Sequence, residues 1–186
     1  MKNIIGYFDK PLLKVSMVFS VITGFTAFLF FLGLYFIGLP PLGNVRSLDM
    51  GVYVILIAGA CLYYRKKFGH GFLHLWEALT IGYFITCVAA MINGWLIYLF
   101  VTYIDTNIFN EYIANALDVL QAGRKTQTAY MKDDEFNTLY QTIKSNKPSI
   151  LISNEISQRL LMGIIPILVI SLIFRKQDYG VFQDKS

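Results

Sequence analysis

Four long apolar runs, Val15–Leu39, Met50–Tyr64, Ala78–Tyr103 and Leu160–Phe174, constrain this chain more than any other feature. A hydrocarbon core about 30 Å thick takes roughly 20 helical residues to cross. Inside it, only helices and closed barrels satisfy their own backbone polar groups. The first and third runs suffice outright, whereas the second and fourth must draw on their flanks. The expected spans are 15–39, 48–64, 77–103 and 153–174. The fold class that follows is an all-α membrane protein with four transmembrane helices. It is a single membrane domain over 1–186 with a helical-hairpin insert at 105–148, between helices 3 and 4.

Composition agrees. The 186 residues are 55% apolar and only 15% charged, against about 45–50% and about 25% in soluble domains. The net charge of +4 is not a nucleic-acid footprint. The cations sit in short clusters beside the spans, and no basic stripe is interleaved with exposed aromatics. Cys61 and Cys87 fall within spans at depths differing by roughly 9 Å, too far for a bridge that needs Cα atoms within about 7 Å. The first apolar run exceeds a signal-peptide core, and Pro40-Pro41-Leu42-Gly43 follows it instead of a cleavage site.

Charge asymmetry sets the expected orientation. Lys2, Lys10 and Lys14 precede the first span, Arg65-Lys66-Lys67 close the second, and Arg175-Lys176 close the fourth. The positive-inside rule makes that side cytoplasmic, with both termini inside. The long 105–148 segment then lies outside; its mixed charges weigh little on orientation. In the second span, Ser47 is the expected cap, Asp49 favours the helix dipole, and Tyr63 and Tyr64 anchor the far end. A re-entrant helix is the alternative, but it would place Arg65-Lys66-Lys67 on the wrong face.

The insert carries two one-faced stripes. The first runs through Ile108, Phe109, Tyr112, Ile113, Ala116, Leu117 and Leu120, with Gly123 expected to end the helix. The second is Phe136, Leu139, Tyr140 and Ile143, behind Asp133 and Asp134 as caps. Asn146-Lys147-Pro148 closes the pair. The stripes pack on each other and on the bilayer surface, or present Phe109, Tyr112, Leu120, Phe136 and Tyr140 to an external partner. Both uses are compatible.

Within lipid, small residues govern helix association. The third span has a ladder of them four apart: Ala78, Gly82, Thr86, Ala90 and Gly94. Ser16, Ser20 and Gly24, and Ala58-Gly59-Ala60, are the expected partners. A homodimer is the other use of such a seam.

Few polar groups are candidates for chemistry. Glu155 and Arg159 stand at i,i+4 at the outer end of the fourth span, within ion-pair reach. A snorkelling Arg159 paired with Glu155 explains them; contact with an ion or anionic substrate is the functional alternative. Pro166 is expected to kink the same span. Asn93 suits an interhelical hydrogen bond. On one helix, His70, His74 and Glu77 would share a face at i, i+4 and i+7, a composition suited to zinc. Gly69 and Gly71 argue against a helix there, and an interfacial turn is the plainer reading. No metal, cofactor or catalytic residue is assigned.

From Asp49 to Lys176 the chain resembles a known group of proteins. The resemblance rests on Tyr63-Tyr64-Arg65-Lys66-Lys67, Gly71-Phe72, Glu77-Ala78-Leu79-Thr80-Ile81-Gly82 and Tyr103-Ile104-Asp105. A charged helical insert and a short apolar span with a basic stop follow. The segment is similar to small four-span membrane proteins of unknown function common in Bacteroidota. That resemblance implies a multi-pass protein of a bacterial inner membrane with no established activity. The expected function is a non-enzymatic accessory or scaffold subunit of an inner-membrane complex. It would contact the bilayer and a membrane-protein partner, through the hairpin or the seam, or form a homo-oligomer. The alternative is a small transporter or channel using Glu77, Asn93 and Arg159. A lipid-modifying enzyme built on His70, His74 and Glu77 comes third.

Overall fold

The computed structural model describes residues 11–126 and 133–175. Lys2, Lys10 and Lys176, which entered the charge reading, lie outside them. The helices are α1 (Pro11–Ile37), a 3-10 turn (Asn44–Asp49), α2 (Met50–Lys67), α3 (Leu75–Tyr103), α4 (Asn107–Thr126), α5 (Asp133–Lys144) and α6 (Ile150–Phe174). No strand occurs among the described residues. Four segments are long and apolar enough to cross a membrane: Pro11–Ile37, Val45–Lys67, Leu75–Tyr103 and Ile150–Phe174. The second reaches 23 residues because the 3-10 turn runs into α2.

That entry corrects the expected cap at Ser47. Asp49 precedes α2 in a helical conformation (φ −64°, ψ −15°) with no side-chain cap bond. The Met50 N–H bonds to the Ser47 carbonyl instead. A tight turn already supplies the backbone partners, which leaves the Asp49 carboxylate free to turn into the bundle.

Helix ends follow local chemistry. Gly38 takes φ +80° after α1, and the N–H groups of Gly38 and Leu39 bond to the carbonyls of Tyr35 and Leu34. This is the Schellman pattern, for which a residue free of Cβ strain is suited; Pro40 and Pro41 then stop the helix. Between α2 and α3 the chain reverses at Gly69–Phe72, where a Cβ on Gly69 would meet the Phe72 carbonyl oxygen at 2.1 Å. Gly123 does not end its helix. It lacks the positive φ seen at Gly38 and Gly71, and α4 runs on to Thr126.

Successive apolar helices run in opposite directions. At one end the Tyr35 hydroxyl donates to Asp105, joining the C-termini of α1 and α3. At the other, Arg65 donates to the Phe174 carbonyl, joining those of α2 and α6. Because Arg65, Lys66, Lys67 and Arg175 gather there, it is called the basic end. Helix α3 is central, packed along α1 on one side and α6 on the other. Near the basic end, Ile57, Ala60, Ile81, Ile85, Ala89 and Ile167 form one core; Phe31, Ile97, Phe100, Val101, Ile108, Phe109 and Leu151 form the second.

The ladder is buried throughout, but its partner is not the expected one. A Cβ on Gly82 would lie 2.6 Å from Ile167, and one on Gly94 would lie 3.2 Å from the Ile152 Cα. The seam therefore receives α6. Gly24 of α1 abuts Ile92 and Ala89, an adjacent strip of α3, while Gly59 of α2 faces Phe19 of α1. With α6 seated on it, the seam cannot also join a second copy.

Candidate functional site: a charge network inside the bundle

The 3-10 turn presents Arg46 and Asp49 three residues apart, so both reach the same side. Helix α6 presents Glu155 and Arg159 four apart, also on one face. The fold brings the two pairs together across more than a hundred residues of sequence. Arg159 grips Asp49 with both terminal nitrogens, at 2.7 Å and 2.6 Å. Its Nε donates to Glu155 at 3.0 Å. Glu155 also accepts from Arg46 and, at 2.7 Å, from Asn93 of α3. The Arg159 guanidinium lies 5.6 Å from the ring centre of Tyr53, on α2.

Four parts of the bundle meet at this point: the 3-10 turn, α2, α3 and α6. Glycine makes the meeting feasible. A Cβ on Gly94, beside Asn93, would stand 3.3 Å from the Glu155 Cβ, so the last rung of the ladder lets Glu155 approach α3. Asp49, Glu155 and Arg159 are 1–2% exposed and Asn93 is fully buried. Two guanidinium and two carboxylate groups balance formally. Removing either partner of such a pair leaves an uncompensated charge at high cost, although the pair itself need add little net stability. Arg159 does not snorkel; it turns inward, where its partners are.

The network is not sealed on every side. A polar cavity of about 250 Å3 adjoins it, lined by Arg46, Ser47, Tyr112, Asn154, Gln158 and Arg159 among others. Asn154 donates to the Tyr112 hydroxyl across its rim. The arrangement can hold opposite charges and admit a small polar species. It presents no nucleophile–base pair.

Other candidate residues are dispersed. Glu77 lies about 24 Å along α3 from Asn93 (16 residues at about 1.5 Å each), towards the basic end. There it accepts from the backbone N–H of His74 at 2.9 Å and from the Tyr64 hydroxyl at 3.2 Å. Helix α3 begins only at Leu75; His74 is extended and His70 sits in a turn at φ 49°. The helical spacing that would align His70, His74 and Glu77 is therefore not formed. Among the described residues, no three His, Cys, Asp or Glu side chains are grouped to hold a metal. Cys61 is buried and Cys87 exposed, both as free thiols.

The aromatic stripe residues divide. Phe109 and Phe136 are buried by their own chain, Phe109 in the core beside Phe31 and Phe100, so neither offers the expected partner surface. Arg124 pairs with Asp133 and covers the Phe136 ring at 4.3 Å, tying α4 to α5. Tyr112, Leu120 and Tyr140 remain half-buried, and Val119 is exposed. Between α4 and Pro40–Gly43 lies a groove of about 540 Å3.

Sequence reasoning missed Arg46 and treated Asp49 only as a helix-dipole residue. The available signal was charge balance: a cation and an anion three apart at one span end, matching an anion and a cation four apart at another. Neither curated proteins nor solved structures yield a match. The family model described as "Protein of unknown function (DUF4199)" matches residues 18–176. With 18–176 covered, the chain belongs to the DUF4199 family, a family of unknown function.

Proposed function

We propose that this protein is a non-enzymatic accessory or scaffold subunit of a bacterial inner-membrane complex. The observation that carries the reading is the internal neutralisation of the buried network, with Arg46 and Arg159 against Asp49 and Glu155. Such a cluster suits a lock between helices better than a reactive centre. Positive clusters beside the spans support cytoplasmic termini, which puts the α4–α5 hairpin outside. The groove beside Val119, Tyr112 and Pro40 is the proposed partner surface.

Affinity purification from native membranes, followed by mass spectrometry, tests this. A stoichiometric membrane partner should accompany the wild-type protein and be lost with V119E. A monomer isolated alone after mild extraction would overturn the reading. For orientation, a cysteine at Asn137 in a C61A/C87S background should react with an impermeant thiol reagent on intact cells. Labelling only after lysis would reverse the topology.

The polar cavity favours a second reading, a small transporter or channel. Asn93 and Arg159 belong to the same network beside that cavity, whereas Glu77 lies towards the other end of α3. Reconstituted flux that is unaffected by R159Q would end this alternative.

A further inference from the structure

At the basic end, α1 and α2 leave a second concavity that the charge network does not use. Its volume is about 380 Å3, and Lys14, Val15, Val18, Phe19, Tyr63 and Phe68 line it. The walls are an aromatic series. Phe19 and Tyr63 have ring centres 6.1 Å apart, and Tyr63 and Phe68 are 6.4 Å apart. Val18 is 58% exposed, Tyr63 42% and Phe68 37%, so an open apolar slot faces outward between two apolar helices. In a bilayer, acyl chain fills such a slot.

Charge selects the headgroup. Lys14 lines the groove directly, and the Lys67 Nζ lies over the Tyr63 ring at 5.5 Å. Both lysines stand within a turn or so of a span end, the level at which aromatic rings and snorkelling cations meet headgroups. Arg65 and Lys66 add to the same positive field.

We propose that this groove is a binding site for an anionic glycerophospholipid, with one acyl chain against Phe19 and Tyr63 and the phosphate between Lys14 and Lys67. Basic pockets between transmembrane helices bind acidic headgroups in this way. The site depends only on the helices crossing a bilayer, not on any partner.

The test is native mass spectrometry of the purified chain, offered equimolar phosphatidylglycerol and phosphatidylcholine with identical acyl chains. The wild type should retain phosphatidylglycerol preferentially. K14Q and K67Q should each lower that preference about fivefold, and the double variant should abolish it. K147Q, at the far end, should leave it unchanged. V18W should displace both lipids by filling the slot; because Val18 points outward, the indole meets no core, and V18F repeats the measurement with a smaller ring. Circular dichroism verifies helicity in each variant. Equal retention of the two lipids by the wild type overturns the proposal. So does a preference that survives K14Q/K67Q, or full occupancy in V18W and V18F.

Discussion

The two halves of the α3–α6 interface bury the same pair of helices by different means. Towards the basic end, Gly82 accepts the side chain of Ile167, and Ile81, Ile85 and Ala89 fill the surrounding space. Three rungs of the ladder further along α3, Gly94 and its neighbour Asn93 accept Glu155, which brings Arg159, Arg46 and Asp49 with it. Lipid is as apolar as the isoleucines, so hydrophobic burial barely distinguishes one helix neighbour from another. Close packing on glycine gives contact in the first half. In the second, charge gives register: a one-turn slip of about 5.4 Å would break the Arg159–Asp49 and Arg46–Glu155 pairs, whereas apolar contacts would partly re-form.

The sharpest way to break this comparison is E155A. It removes the acceptor shared by Arg46, Arg159 and Asn93, and should cost about 3–5 kcal/mol in equilibrium unfolding from mixed micelles. A loss below about 1 kcal/mol would put the network among surface ion pairs. Next, G82L at the apolar half should cost about 1–3 kcal/mol through overpacking against Ile167, read by the same titration. If G82L proves costlier than E155A, the two halves exchange importance.

N93A should cost about 1 kcal/mol, as interhelical hydrogen bonds in membranes do. A double-mutant cycle with E155A would show whether its contribution passes through Glu155. The smallest effect belongs to R124A. Its ion pair with Asp133 is 44% and 82% exposed at the two side chains, so the change should stay under about 1 kcal/mol. The same unfolding titration reads it.

Much of the architecture was legible in the chain. The four apolar helices, the amphipathic pair between the third and fourth, and the buried small-residue ladder all follow from local hydropathy and period. Glu155 and Arg159 were legible as a pair because i,i+4 spacing is a property of one helix. The partners of that pair were not. Arg46 and Asp49 lie in a 3-10 turn about 110 residues away in sequence, where no periodicity connects them to α6. Phe109 and Phe136 looked like surface for a related reason. A stripe identifies the apolar side of a helix but not what covers it, and in this fold their own chain buries both.

By itself, then, the sequence determined which segments leave water, because transfer into lipid sums residue by residue along a helix. Tertiary structure alone decided that the Gly82–Gly94 seam receives α6, that Arg159 turns inward, and that the two charged pairs neutralise each other. Those outcomes depend on which helix faces which and at what depth. Only packing in three dimensions fixes that, since in lipid several apolar neighbours are nearly equivalent until small residues and charges distinguish them.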